Sequence, residues 1–252
     1  MLSQMRHSTG QLLFRVKVCG VTTAADARLA ASAGADAVGF NFVPGSPREL
    51  SLEAAREAVA ALPAGVLAVG VFAGMPADQM RAVAAATGLG AIQLHGHLSE
   101  TAGASDPPTR CRELADLPVI RAVRLDEGSL DQARAWLAAA AAAGRSPDML
   151  IVDAGVTAGT VAGRLGGTGH VVDWESLARQ DSLGLPFALA GGLTPGNVAA
   201  AVTMARCAAV DTASGVEATP GRKDPALVMA FVAAARRALG SPPDPVRSVQ
   251  SG

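Results

Sequence analysis

Short runs rich in Val, Ile and Phe alternate with alanine-rich runs of helical period along nearly the whole chain. The strand-type runs fall at residues 15–19, 37–43, 67–73, 91–95, 119–125, 149–153, 186–190 and 209–213. Most are apolar on both faces, as a buried parallel sheet requires. Between them, Ala55, Ala58, Val59 and Leu62 follow the i, i+3, i+4, i+7 spacing of a helix face, and so do Leu227, Ala230, Phe231 and Ala234. Helix starts are marked by capping-box spacing at Thr23-Ala24-Ala25-Asp26 and Ser129-Leu130-Asp131-Gln132. Thr194-Pro195 and Asp224-Pro225 each set a cap residue before a first-turn proline. Residues 96–109 are polar and contain proline, which predicts an irregular loop before a short helix near 110–117. Eight strands alternating with eight helices in a chain of this length predict a (β/α)8 barrel of the α/β class, with a doubly wound open sheet as the competitor. The expected single domain covers 14–239, with 1–13 and 240–252 as a disordered extension and tail.

Composition narrows the classes. Half of the residues are hydrophobic, 17% charged and only 3% aromatic, which describes a soluble globular protein with an aliphatic core. A net charge of −1 supplies no general field for nucleic acid or an anionic membrane, so neither is expected as a partner and an anionic ligand must be held by local groups. Three cysteines without C-x-x-C spacing point to reduced thiols and a cytoplasmic setting. No apolar stretch of signal-peptide length follows the first residues, and the alanine run at 135–143 is too short to span a bilayer. No His/Cys/Asp cluster has metal-ligand spacing and no G-x-G-x-x-G follows the first strand, so neither a metal nor a dinucleotide cofactor is expected.

Two reactive side chains close strand-type runs. Cys19 ends Val16-Lys17-Val18-Cys19 with Gly20 behind it, and Asp153 ends Leu150-Ile151-Val152-Asp153 before Ala154-Gly155. In a parallel α/β protein such tips line the ligand crevice. Strands one and six lie three steps apart around an eight-membered ring, so a thiolate and a carboxylic acid would face each other across its mouth as a base–acid pair. Lys17, two residues before Cys19 and hence on the same strand face, would favour the thiolate. The plainer alternatives are a small buried cysteine and a turn-capping aspartate. Glycine turns follow the late strands at Gly166-Gly167-Thr168-Gly169, Gly191-Gly192 and Ser214-Gly215, where barrels commonly cradle phosphate on backbone N–H groups. Arg48, in the proline-stiffened loop Pro44-Gly45-Ser46-Pro47-Arg48, is either a carboxylate clamp or a solvated cation. Gln93 and His95 end the fourth strand, with a turn-bonded histidine as the alternative.

These segments together resemble the phosphoribosylanthranilate isomerase family. The resemblance rests on Lys17-Val18-Cys19-Gly20, Gly39-Phe40 with Ser46-Pro47-Arg48, Val69-Gly70-Val71-Phe72, and Gln93-Leu94-His95-Gly96. It continues through Val152-Asp153, Gly166-Gly167-Thr168-Gly169 with Asp173-Trp174, Ala190-Gly191-Gly192-Leu193, and Ser214-Gly215-Val216-Glu217 with Pro220-Gly221 and Lys223-Asp224. It implies a cofactor-free (β/α)8 isomerase of tryptophan biosynthesis acting on N-(5-phosphoribosyl)anthranilate by an Amadori rearrangement. By resemblance Asp153 is the general acid and Cys19 the general base. Arg48 binds the anthranilate carboxylate, and Gly167, Gly191, Gly192, Ser214 and Gly215 bind the phosphate. Lys17, Gln93 and His95 complete the pocket. Gly74 and His97 stand where many members have Asn and Asp, and the loop 156–165 is longer than expected.

Two other readings remain at this point: another phosphosugar isomerase or lyase on the same barrel, and a non-catalytic phospho-ligand-binding protein. An isomerase that also serves histidine synthesis is a further variant, although that chemistry usually pairs two aspartates. The expected partner is one small phosphoribosyl substrate, and the chain is expected to be a monomer or homodimer.

Overall fold

The computed structural model describes residues 11–98, 104–124, 129–153 and 183–240. Sequence-based expectations for residues 1–10, for the turn at Gly166–Gly169, for Asp173-Trp174, for the loop 156–165 and for the tail beyond 240 lie outside the described residues.

The strands are β1 (Val16–Val18), β2 (Ala37–Asn41), β3 (Leu67–Phe72), β4 (Ala91–Leu94), β5 (Val119–Arg124), β6 (Met149–Asp153), β7 (Phe187–Ala190) and β8 (Ala209–Thr212). They form a closed, wholly parallel barrel in sequence order. β8 returns to pair with β1, with Lys17 opposite Asp211. That closure rules out the open-sheet alternative. The helices described between and after the strands are α1 (Ala24–Ser32), α2 (Leu52–Ala60), α3 (Ala77–Thr87), α4 (Arg110–Glu113), α5 (Ser129–Ala142), α6 (Val198–Ala205) and α7 (Pro225–Leu239). Among the described residues no helix is long and apolar enough to cross a membrane.

Because side chains alternate along a strand, each strand feeds two cores. Val16, Val18, Val38, Phe40 and Phe72 point outward to the helices, and the rings of Phe42 and Phe72 stack at 5.0 Å. The inward residues are mostly small: Ala37, Val69, Ala91, Ile120, Met149, Ala188 and Ala209 fill the barrel, joined by Phe14. Leu12 and Leu13 pack against this inner cluster. Small inward side chains leave room for the polar Lys17, Gln93 and Asp211, all buried.

Local signals act as the sequence suggests in two helices. Thr23 accepts from Asp26 N at 3.1 Å, and Asp224 accepts from Ala226 N at 2.8 Å and Leu227 N at 3.0 Å ahead of Pro225. Two expectations need correction. α6 starts at Val198 and not after Thr194, because Asn197 accepts from Thr194 N at 2.7 Å and donates to Gly192 O at 3.1 Å, folding 192–197 into a turn. On α7 the buried face is Val228, Phe231, Val232 and Ala235, while Ala230 is exposed, so the expected stripe is rotated by about one residue. Alanine is too common along this helix for spacing alone to fix its register.

The irregular segment before α4 hides a buried anchor. The Asp106 carboxylate accepts from Gly74 N at 3.0 Å and Gly96 N at 2.6 Å, and lies 3.3 Å from Arg121 Nη1. Arg121 in turn stacks 4.8 Å from the Trp136 ring, and Trp136 Nε1 donates to Asp106 O at 2.8 Å. The anchor thereby ties the loops after β3 and β4 to α5. It also accounts for Gly74, one of the departures from the family pattern: with φ +66° a Cβ there would stand 2.5 Å from Ala104 Cα, so Asn does not fit.

Candidate active site

The inward side chains at the C-terminal ends of the strands meet at one mouth of the barrel. Cys19 follows β1 and its N–H donates to Thr212 O at 2.7 Å, which fixes the thiol at the β1–β8 seam. Gly39 on β2 makes room for it, since a Cβ there would lie 2.6 Å from Cys19 Sγ. Below Cys19 the Lys17 ammonium is fully buried, 3.0 Å from Asp211 Oδ1, and it interacts electrostatically with Cys19. Burial opposes the charge on Lys17, but Asp211 and Cys19 outweigh it and raise its pKa above the ordinary lysine value. Lys17 therefore stays an ammonium beneath the thiol.

Asp153 ends β6, beside Arg124 of β5 and Ala190 of β7 in register. It interacts electrostatically with His95 after β4 and with Asp211. His95 sits open to solvent at the rim, yet desolvation by the protein packed on its inner side lowers its pKa; Asp153 pulls the other way, and Lys17, Arg124 and Arg121 add to the lowering. The ring is thus a neutral imidazole at neutral pH. Gln93 Nε2 stands 3.5 Å from His95 Nδ1, and Gln93 Oε1 is buried with no hydrogen-bond partner. Cys19 and Asp153 end strands on opposite sides of the ring, joined by an electrostatic chain through Lys17, Asp211 and His95.

Arg48, in the loop after β2, lies against Gly20, the residue after Cys19. That loop is shaped by Asn41, whose Nδ2 donates to Ser46 Oγ at 3.0 Å, and by Arg48 N, which donates to the same oxygen at 3.2 Å. The Arg48 side chain crosses Gly20, whose φ is +70°; a Cβ there would lie 2.2 Å from Arg48 Cδ. Its guanidinium forks onto Glu217, Nε to Oε1 at 2.8 Å and Nη2 to Oε2 at 2.7 Å. Lys223 Nζ also donates to Glu217 Oε1, at 2.8 Å, and to Ala213 O at 3.0 Å. Cys19 interacts electrostatically with Lys17, Arg48 and Lys223.

The glycine turns after β7 and β8 lie side by side. Gly191 and Gly192 have φ of +94° and +65°, left-handed backbone that favours glycine. Gly215 touches the first loop so closely that a Cβ would stand 1.8 Å from Leu193 O, which also accepts from Thr212 Oγ1 at 2.8 Å. Ser214 opens a single 3-10 turn, Ser214–Val216, and is exposed at the rim. Gly167 lies outside the described residues.

The structure thus brings Lys17, Cys19, Arg48, Gln93, His95, Asp153, Gly191, Gly192, Ser214 and Gly215 to one end of the barrel. Sequence reasoning gave no role to Asp211, Glu217, Lys223 or Arg124. Inward parity on β8 marks Asp211, but only ring closure reveals that it faces Lys17.

The comparisons agree with this geometry. Residues 16–234 match the family model described as N-(5'-phosphoribosyl)anthranilate (PRA) isomerase. The chain belongs to that family. It is 41% identical over 225 residues to N-(5'-phosphoribosyl)anthranilate isomerase of Neisseria meningitidis serogroup C, spanning 88% of this chain and 97% of the relative. Among solved structures, phosphoribosyl anthranilate isomerase from Thermotoga maritima superposes with a TM-score of 0.71 at 35% identity, over 88% of this chain and 98% of that one. A phosphoribosyl anthranilate isomerase in complex with reduced 1-(o-carboxyphenylamino)-1-deoxyribulose 5-phosphate superposes with the same TM-score, 0.71, at 32% identity, again over 88% of this chain and 98% of the other.

Proposed function

We propose that the chain converts N-(5-phosphoribosyl)anthranilate to 1-(2-carboxyphenylamino)-1-deoxyribulose 5-phosphate in tryptophan biosynthesis, with Asp153 as general acid and Cys19 as general base. Asp153 gives its proton to the ribose ring oxygen as the C1′–O bond breaks and the anilino nitrogen forms a Schiff base. The Cys19 thiolate then removes the C2′ proton, leaving an enolamine that tautomerises to the 2-ketone. Only protons move and no outside electrons enter, so the step needs no redox cofactor. The observation that carries this reading is the setting of Cys19, a thiol among Lys17, Arg48 and Lys223 across the mouth from Asp153, in a chain of this family.

Arg48 binds the anthranilate carboxylate and the backbone of Gly191, Gly192 and Gly215, with Ser214, holds the phosphate. Lys17, Gln93 and His95 line the sugar between these ends. The setting is cytoplasmic and the ligand a single small molecule. A carboxylate-free phosphosugar would leave Arg48 without a partner, which favours the anthranilate substrate over the alternatives.

The test is the decay of anthranilate fluorescence with substrate generated in situ, on wild type, Asp153→Asn and Cys19→Ser. Rapid turnover lost in Asp153→Asn and strongly reduced in Cys19→Ser is the expected result, each by about 10²-fold to 10⁴-fold. A folded wild type without turnover would overturn the reading.

A further inference from the structure

Arg48 does not approach the site as a lone cation. Glu217 occupies its side-on fork, Nε with Nη2, at 2.8 and 2.7 Å, and both groups are largely withdrawn from solvent. Arg48 and Glu217 alone would cancel, leaving little net attraction for a substrate carboxylate. Lys223 changes that balance. Its side chain is wholly buried and its ammonium lies 2.8 Å from Glu217 Oε1, so the three groups together carry one net positive charge. The end-on fork of Arg48, Nη1 with Nη2, has a fixed direction because the opposite edge is pinned.

The chain places these groups by a hairpin that the barrel itself does not require. β9 (Glu217–Thr219) and β10 (Arg222–Lys223) pair antiparallel, with Lys223 opposite Glu217 in register. The tip is strapped down: Thr22 Oγ1 donates to Gly221 O at 2.6 Å, and Gly221, at φ +82°, approaches Pro47 O so closely that a Cβ would lie 2.7 Å from it. The hairpin therefore spans the loops after β1 and β2. Lys223 also donates to Ala213 O, the residue just before Ser214-Gly215. One side chain thus touches both the loop assigned to phosphate and the acid that holds Arg48.

We propose that Glu217 and Lys223 are positioning residues for the carboxylate end of the substrate: Glu217 aims the Arg48 guanidinium, and Lys223 offsets the Glu217 charge so that Arg48 meets the carboxylate with its full positive charge. This rests on the reading of Arg48 as the carboxylate-binding residue. The arrangement favours a substrate with a carboxylate at this end, because such a group is attracted only while Lys223 is charged. It also explains why an acid can sit against a substrate-binding arginine without disabling it.

The test compares wild type, Lys223→Met, Lys223→Gln and the double variant Glu217→Gln/Lys223→Met. The probes are anthranilate and inorganic phosphate, titrated calorimetrically, beside KM and kcat. Lys223→Met is expected to weaken anthranilate binding about tenfold and raise KM likewise, with phosphate binding less affected. Lys223→Gln, which keeps a donor for Glu217 and Ala213, should match it. The double variant removes the opposed pair and leaves Arg48 as the net charge, so it should recover most of the loss. A merely structural role predicts the reverse, with the double variant at least as weak as the single. That result, or unchanged anthranilate binding in both Lys223 variants, would overturn the proposal. The titrations need no turnover, so a wild type inactive as an isomerase would refute the proposed function and leave this inference separately decided.

Discussion

The Lys17 ammonium and the Asp211 carboxylate face each other inside the barrel at 3.0 Å, across the seam where β1 meets β8. A pair this deep recovers its desolvation cost only while both members are present. Asp211→Asn leaves the Lys17 charge uncompensated and is expected to lower unfolding stability by about 3–5 kcal/mol. Urea unfolding measures this. Lys17→Met/Asp211→Leu should regain much of the stability, yet turn over slowly, because the ammonium beneath Cys19 is gone. A double variant as unstable as Asp211→Asn would mean that the pair matters through packing and not through charge.

Two glycines support two different parts of the proposed chemistry, and alanine separates them. On Gly20 a Cβ would meet Arg48 Cδ at 2.2 Å, while on Gly39 it would meet Cys19 Sγ at 2.6 Å. Gly20→Ala also strains a residue at φ +70°. It should displace the arginine and raise KM about tenfold or more, with a smaller change in kcat. Gly39→Ala pushes the thiol out of line, and its loss should fall on kcat, about 10²-fold for a misplacement near 1 Å. Steady-state kinetics on both variants reads the split, and equal effects on both parameters would count against these separate roles.

The barrel itself was legible because its signals are local and repeated. All eight strand runs read from apolar character coincide with β1–β8, and the strand-end rule places Cys19, His95 and Asp153 at one mouth. What sequence could not supply was pairing at long range. Asp211 meets Lys17 from 194 positions away, and Glu217 meets Arg48 from 169. Arg48 reads from sequence as a clamp in a stiff loop, with nothing to show that an acid already holds it. The alanine-rich helices failed in a different way. Alanine occupies buried and exposed faces alike, so the buried stripe of α7 could not be set by spacing. Similarly, Thr194-Pro195 carries a good helix-start pattern, but Asn197 captures the turn and delays α6.

Glu217 gives a pH dependence whose sign follows from its partners. Burial alone would raise its carboxyl pKa, but hydrogen bonds from Arg48 and Lys223 prevail and hold it below the ordinary glutamate value of 4.5. The unfolded chain therefore takes up this proton before the folded one does. The stabilisation is complete above about pH 4.5 and is lost as pH falls through the lower folded value. Unfolding free energies of wild type and Glu217→Gln from urea titrations should differ by a constant amount from pH 7 to about pH 5, with wild type more stable by about 1–3 kcal/mol. Below that range the two should converge. A gap that persists at low pH would show that the side chain acts by shape and not by charge.

Gly215 tests the phosphate end. Its Cα lies so near the loop after β7 that an added Cβ would stand 1.8 Å from Leu193 O, a backbone atom with no freedom to rotate away. Gly215→Ala must therefore part the two loops, and with them the Gly191-Gly192 and Ser214-Gly215 amides proposed to share the phosphate. The expected outcome is a KM raised about tenfold or more and a matching rise in the inhibition constant for inorganic phosphate. Ser214→Ala removes a hydroxyl from an exposed position without moving backbone, so its effect on both should stay within about a factor of ten, the value of one ordinary hydrogen bond. Unchanged phosphate inhibition in Gly215→Ala, with the protein folded, would separate phosphate binding from this pair of loops and move it elsewhere on the barrel rim.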